Sequence, residues 1–188
     1  MCHAIFSDIK FFQQLVLIDQ DLADQTRLQG CPCGGPLHQA HFPRKPRSCP
    51  AEVRDDFAMR FSFCCGQCRK RITAASVRFL GRRVHLALAV LLVSDRGPTP
   101  AAARWLAQQL SIAPRTVERW RRWWREHFPA IRLWQTMCAR FMPPLDMALL
   151  PAALLSRFHR TSTEAMRRLL MFLTPLTGIA PITLREGL

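Results

Sequence analysis

Five cysteines stand in two short clusters, and a cysteine thiolate is a metal ligand as well as a nucleophile. "CPCGG" supplies Cys31 and Cys33, and "FCCGQC" supplies Cys64, Cys65 and Cys68. Two cysteine pairs about thirty residues apart, each at a turn rich in Gly, have the layout of a zinc ribbon. Zinc takes four tetrahedral ligands, and two sharp turns at the ends of β-hairpins deliver two thiolates each. Gly34 and Gly66 are expected to supply the backbone angles of those turns. The simplest set is Cys31, Cys33, Cys65 and Cys68, with Cys64 as a neighbour that packs or substitutes. The first pair has one intervening residue where two to four are common. Cys64, Cys49, His38 and His41 therefore stay open as replacements. Four thiolates leave no coordination position for a reactive water, so the expected zinc is structural. Its binding energy, ~10–16 kcal/mol in small zinc modules, would fold the segment. The competing reading, reduced cysteines in an apolar core, fits poorly with a stretch as polar and turn-like as "CPCGG".

A second stretch, "ERWRRWWREHF" from 118 to 128, carries three tryptophans and four arginines. On a wheel of about 100° per residue, Val117, Trp120, Trp124 and Phe128 share one face. Arg115, Arg119, Arg122 and Glu126 gather opposite, and Trp123 sits on the flank beside Thr116. The indoles are thus mostly core and the guanidinium groups point away from it. A membrane-surface helix would need its apolar face free, and here a preceding helix covers it. In "AARWLAQQLSIAPRTVERW", Leu106, Leu110, Ile112, Val117 and Trp120 fall where a helix-turn-helix buries residues, with small Ala107 at the crossing. The stretch from Ala103 to about Trp124 resembles the helix-turn-helix of repressors and transposases. Ser111 stands where that turn usually has Gly, and Ala113 where the second helix is usually capped by Ser or Thr. Pro114 at the first helical position partly offsets the missing cap. The resemblance implies that this helix enters the major groove. Arg115, Thr116, Arg119 and Arg122 would then face base edges and flanking phosphates, with Arg121 and Arg125 at the sides on phosphate.

The 188 residues carry 27 Lys and Arg against 13 acids, a formal charge of +14. A surplus of that size favours a polyanionic partner. Arg44, Lys45 and Arg47 lie in a Pro-rich connection, Arg69, Lys70 and Arg71 follow the last cysteine, and Arg82 and Arg83 close the segment. Such loops hold phosphate by charge alone. "MCHAIFSDIKFFQQLVLIDQ" has Gln13 and Gln14 inside its apolar stretch and no basic leader, so no secretory signal is expected. The run "LALAVLLV" is far shorter than the ~20 residues that span a bilayer. A soluble, cytoplasmic, nucleoid-associated protein with no membrane partner is the expectation, and there eight cysteines read as ligands rather than disulfides.

The elements that must position these residues follow from patterning. Ile5, Ile9, Phe12 and Val16 mark one face of an N-terminal helix, mildly acidic through Asp8, Asp19, Asp21 and Asp24. "FAMRFSF" and "ITAASVRFL" read as strands. "VHLALAVLLVS" reads as a buried helix broken at Gly97-Pro98, and Thr99-Pro100 starts the next, which runs to about Leu110. The helix from Pro114 runs to Phe128, before Pro129. Two or three apolar helices follow, broken at Pro143-Pro144, Pro151, Pro175 and Pro181. The fold class expected is mainly α with a small β zinc ribbon. Its parts are an N-terminal helix over 1–30, the ribbon over 31–83, a helix-turn-helix over 84–130 and a C-terminal helical segment over 131–188.

A zinc ribbon followed by a helix-turn-helix resembles the N-terminal DNA-binding part of bacterial transposases. The stretch from "CPCGGPLHQAHFPRKPR" through "RFSFCCGQCRKRITAASVRFLGRRVH" to "TVERWRRWW" resembles short transposase-like proteins carried near bacterial mobile elements. The resemblance implies recognition of double-stranded DNA at an element's ends or operator. The implied partner is a separate transposase or recombinase subunit, and the apolar N-terminal face and residues 131 to 188 are the candidates for pairing with a second copy as a homodimer. Catalysis is not expected. Asp95, Glu118, Glu126, Asp146, Glu164 and Glu186 are surrounded by no run of alternating strands that would hold two metal ions. There is no Tyr, and no serine has a recombinase setting. His3, His85, His127 and His159 look isolated. A transcriptional regulator with the same DNA contacts and an RNA-binding zinc-ribbon protein are the alternatives.

Overall fold

The computed structural model describes residues 2–80, 85–94, 100–158 and 161–178. The N-terminal segment, expected as one helix, is two. α1 (Cys2–Phe6) ends before Asp8, which caps α2 (Ile9–Gln29) by accepting the Phe11 N–H at 3.1 Å. An aspartate there satisfies an orphan donor of the first turn, so the chain restarts its helix at that point. Gly30, at φ 73°, ends α2 by donating its N–H to the Arg27 carbonyl. Phe11, Phe12, Leu15, Asp19 and Ala23 form the buried face.

Five short strands follow. β1 (Leu37–Gln39), β4 (Ser62–Cys65) and β5 (Arg71–Thr73) make an antiparallel sheet in the order β1-β4-β5, and β2 (Phe42–Pro43) pairs with β3 (Met59–Arg60). The register sets Leu37 opposite Cys65 and Phe63 opposite Ile72. Alternation along β4 sends Phe63 and Cys65 to one face, where they join Ala23, Cys31, Leu37 and Ala74 in a small core. The strand expected over "ITAASVRFL" stops at Thr73. Beyond it the backbone bonds to side chains instead of a neighbouring strand: Ser76 N–H donates to Thr177 Oγ1 and Val77 N–H to Asp19 Oδ1, both at 2.7 Å. "FAMRFSF" is likewise split among a 3-10 turn (Asp55–Phe57), β3 and β4.

Asp19, one of the four acids that make the N-terminal segment mildly acidic, is fully buried. Its carboxylate accepts from Ser76 Oγ at 2.5 Å, from Val77 N and from Arg78 Nε at 2.7 Å. The Arg78 guanidinium then donates to the carbonyls of Asp56 and Met59. It lies over the rings of Phe57, Phe61 and Phe79, 4.9–5.4 Å from their centroids.

α3 (Ala87–Ser94) is buried at every residue, as a helix that is apolar all round must be. α4 (Pro100–Gln109), α5 (Pro114–Arg122) and α8 (Ser162–Phe172) pack on it, and α1 packs on α4. The expected break at Gly97-Pro98, the cap at Thr99 and the stop at Pro181 lie outside the described residues. α5 does not run unchanged to Phe128. It widens into a π-turn at Trp123–His127 and tightens into a 3-10 turn at Phe128–Ala130. Pro129 lacks a donor and its ring crowds the carbonyl one turn back, which disturbs the regular ladder there. α6 (Arg132–Met137) and α7 (Ala152–Leu155) follow. Rings join this end to the rest: Trp124–Phe128, Phe128–Trp134, Trp134–Phe141 and Phe141–Phe172 have centroids 4.8, 5.3, 5.7 and 5.8 Å apart. The segment after 130 thereby shares one apolar core with α3 and α5. Among the described residues no helix is long and apolar enough to cross a membrane.

Asp19→Ala leaves Arg78 buried without its partner, and the expected loss of stability is about 3–5 kcal/mol. Glu164→Ala, which removes the partly exposed pairs to Arg167 and Arg168, is expected to cost far less, because solvent screens those pairs. Urea unfolding of the two variants side by side checks this, and equal losses would contradict it.

Candidate metal centre and basic face

The ligand atoms of Cys31, Cys33, Cys65 and Cys68 all lie within 4.8 Å of one another. The shorter Sγ separations are 3.3 Å for Cys31–Cys33 and 3.5 Å for both Cys31–Cys68 and Cys33–Cys65. Tetrahedral bonds of ~2.3 Å place thiolate sulfurs about 3.8 Å apart. Four thiols at this spacing can hold a metal ion, and the donor set is compatible with zinc.

Local backbone brings them together. The Gly34 N–H closes the first turn on the Cys31 carbonyl at 2.8 Å, with Gly34 at φ 80° as expected. Gly66 corrects the expectation, because it needs no such angle; Arg69, at φ 59°, takes the left-handed position of the second turn. Gly35 was not anticipated. A Cβ on it would stand 2.7 Å from Cys65 Sγ and from Gln67 Cβ, so glycine is needed there for close approach. The Cys68 N–H points at Cys65 Sγ, 3.4 Å away. That N–H, and after it the N–H of Gln67, hold the Cys65 thiol down to about 6 against the opposing effect of burial. The Cys33 N–H favours the Cys31 thiolate, but the contact with the Cys33 sulfur, burial and the Cys68 and Cys65 sulfurs outweigh it. The Cys31 thiol is pushed up to about 12.

The four alternative ligands lie elsewhere. Cys64 points off β4 toward the Arg69 carbonyl at 3.6 Å. Cys49 packs against the main core, where burial pushes its thiol up to about 11. His41 Nδ1 accepts the Ser62 N–H at 3.1 Å, and its ring meets Phe61 and Phe63 edge-on. His38 stands beside the Gly66 backbone, outside the four-sulfur group.

On α5 and the turns that continue it, Val117, Trp120, Trp124 and Phe128 are buried, while Arg115, Arg119, Arg122 and Arg125 are exposed. Thr116 and Arg121 are half-buried. Arg121 Nε has no hydrogen-bond partner among the described residues, and Arg125 pairs with Glu126 at 3.0 Å. α4 ends in a tight turn in which the N–H of Ile112 reaches the Ala107 carbonyl at 2.8 Å and that of Ser111 the Gln108 carbonyl at 3.0 Å. Ser111 takes φ 51°, the left-handed role that glycine usually fills.

Among the ribbon's cations, Lys45, Arg47, Arg69 and Lys70 are exposed. Two others are engaged by the fold. Arg44 lies over Phe79 at 5.3 Å, with burial lowering its pKa. Arg71 donates to the Ala40 carbonyl at 2.9 Å and lies over Phe42 at 5.7 Å. Arg82 and Arg83 lie outside the described residues.

His85, isolated in sequence, sits where the ribbon's loop meets α5. Its ring is 5.1 Å from Trp120, and its Nδ1 is 2.9 Å from Ser48 Oγ. Arg47 pairs with His85 through a backbone bridge. Burial, then the charges of Arg47 and Arg119, hold the His85 pKa below its ordinary value. Nothing in the composition of "RRVHL" signals this placement, because its partners come from two distant segments. Comparison with family models, with curated proteins and with solved structures finds no match.

The purified chain is expected to release about one zinc ion per molecule when its thiols are blocked with a mercurial, read with a metallochromic dye. Cys65→Ser removes that ion and Cys64→Ser retains it. Equal loss from both variants would overturn the ligand assignment.

Proposed function

We propose that this chain is a sequence-specific, double-stranded DNA-binding protein of the zinc-ribbon and helix-turn-helix kind. In this reading Cys31, Cys33, Cys65 and Cys68 hold a structural zinc ion that fixes the ribbon. α4, its turn and α5 are the helix-turn-helix, with α5 in the major groove. The observation that carries the reading is the division of α5: Val117 and Trp120 buried, Arg115, Arg119 and Arg122 exposed on the other side. An arginine fork suits the O6 and N7 of guanine, and the first turns of such a helix reach base edges. That places Arg115 and Thr116 nearest the bases. Arg122, and the exposed Lys45, Arg69 and Lys70, supply phosphate contacts. The charge of +14 supports attraction to duplex DNA at long range.

The resemblance to the DNA-binding part of transposases supports a role as a transposase-like or accessory subunit of a bacterial mobile element, acting with a separate transposase or recombinase. A transcriptional regulator would use the same contacts, and the position of its site, at a promoter rather than at element ends, separates the two. An RNA-binding ribbon protein would leave the exposed face of α5 without a groove to enter.

Selection of bound duplexes from a random pool is expected to enrich one site with guanine in it. Arg115→Ala then weakens binding to that site by about 1–3 kcal/mol while leaving binding to unrelated duplex nearly unchanged. No enrichment, or preference for folded RNA in competition, would sink the reading.

A further inference from the structure

A continuous line of contacts runs from the four sulfurs to the buried side of α5. The segment from Cys31 to Ser48 begins with two of the cysteines and then runs antiparallel to the segment that ends in Cys65. Leu37 lies opposite Cys65, and Phe42 opposite Arg60. The Ala40 N–H donates to the Ser62 carbonyl at 2.9 Å, and the Arg44 N–H to the Ala58 carbonyl at 2.6 Å. β1 and β2 are edge strands with one neighbour each. The opposing segment is held from more sides, because β5 flanks β4 and the Arg78 guanidinium donates to the Met59 carbonyl. A metal ion would therefore matter most to the edge segment. It would pin the start of that segment, where Cys31 Sγ is 3.5 Å from Cys68 Sγ and Cys33 Sγ is 3.5 Å from Cys65 Sγ.

The other end of the segment meets His85. Arg47 forms a backbone bridge to it, and the Arg47 carbonyl accepts the Leu86 N–H at 3.4 Å. Ser48, at φ 63°, holds Oγ 2.9 Å from His85 Nδ1. Either atom can donate, so the bond forms with either tautomer of the ring. A serine keeps a left-handed backbone only where its surroundings hold it there. The His85 ring meets Trp120 edge-on, with centroids 5.1 Å apart. Behind the ring the backbone is fixed: the Ala87 N–H donates to the Arg78 carbonyl at 2.9 Å, and Leu86 bridges to Phe79. Release of Ser48 would free the imidazole to turn about its own side-chain bonds while α3 stays in place. Trp120 is the ring that would register the turn.

We propose that His85 is a positioning residue through which metal at the four-cysteine site sets α5. This coupling rests on the metal assignment, and its consequence for DNA rests on the reading proposed above. With metal bound, the segment from Cys31 to Ser48 is pinned at both ends, and Ser48 fixes the imidazole against Trp120. Without metal, the edge strands open locally from the cysteine end, because so small a module draws its folding energy from the metal. Ser48 then leaves, and the ring beneath α5 loses its fixed orientation. Trp120 is buried on the helix that exposes Arg115 and Arg119, so the aim of those arginines follows the seat of the indole. The coupling is reciprocal: a duplex that favours the ordered α5 also tightens the hold on the metal.

The test uses the full chain with zinc bound and after dialysis against a strong chelator under reducing conditions. NMR resolves the indole N–H signals of the tryptophans, and Trp120→Phe assigns the one from Trp120. In the parent, metal removal moves the Trp120 signal. It leaves that of Trp134, which Phe128 separates from Trp124, in place. Ser48→Gly removes the hydroxyl and relieves the left-handed backbone. In it the Trp120 signal is displaced even with zinc bound and no longer responds to zinc removal. His85→Ala gives the same loss of response. A Trp120 signal that ignores the metal in the parent, or follows it as fully in both variants, overturns the coupling. So does an equal movement of all the tryptophan signals, which marks general unfolding. Fluorescence anisotropy with the selected duplex gives the functional arm. Zinc removal weakens binding by the parent roughly 5–150-fold, the usual range for coupled sites, and weakens binding by the variants far less. Equal weakening in all three overturns the role of His85. A chain whose Trp120 follows the metal but which binds no duplex keeps the coupling and sinks the DNA-binding reading alone. A chain that takes up no zinc removes the coupling together with the ligand assignment.

Discussion

The fold hangs on one buried ion pair. Taking a carboxylate and a guanidinium out of water costs several kcal/mol for each, and their attraction offsets that only when the remaining donors and acceptors are also filled. Asp19 and Arg78 meet that condition. The carboxylate receives a hydroxyl, a backbone N–H and the guanidinium, and the guanidinium continues to two carbonyls and lies over three rings. The pair thereby joins α2, the loop after β5 and the segment before β3. A second buried arginine extends it. Arg60 donates to the carbonyls of Ala74 and Thr177, at 2.6 and 3.0 Å, and burial lowers its pKa to about 10. Thr177 in turn receives the Ser76 N–H. The N-terminal helix, the sheet and the end of the described chain thus meet at polar contacts with fixed geometry, where apolar packing alone would allow sliding.

This arrangement explains how so small a sheet is held. Its own core draws on few residues, and two of those are the cysteines Cys31 and Cys65. Small modules of this kind bury too little apolar surface to stand alone and depend on a cross-link. Here the four sulfurs bring the two turns together at one end, where a metal ion could join them. The Asp19–Arg78 pair ties the sheet's outgoing strand to α2 at the other. The loop around Arg47 and Ser48 then leads from the sheet to the helical part and meets His85 at its border.

Local chemistry was legible in the residues, and distant pairing was not. The cysteine turns are read from spacing within a few residues, and the structure brings the same four sulfurs together. The split of α5 into apolar and cationic faces is a matter of period, and burial of Val117, Trp120 and Trp124 follows it. Nothing near Asp19 marks it for burial, because its partners lie 57 to 59 residues away. The apolar alternation after Thr73 looked like a strand for the same reason, since the Ser76 and Val77 N–H groups go to the side chains of the distant Thr177 and Asp19. His85 and Ser48 carried no pattern at all. Gly35 was overshadowed by Gly34 and Gly66, because a close approach to a sulfur leaves no periodic trace.

The ring contacts described above divide the molecule optically. All five tryptophans fall between Trp105 and Trp134, and the chain has no tyrosine. Indole emission, excited at wavelengths beyond the phenylalanine band, therefore originates wholly in the helical part, with Trp124 and Trp134 shielded among other rings. The sheet is dark at those wavelengths, and only sulfur-to-metal charge-transfer bands could make it visible. The two parts of one chain can thus be watched through separate spectral windows without any label.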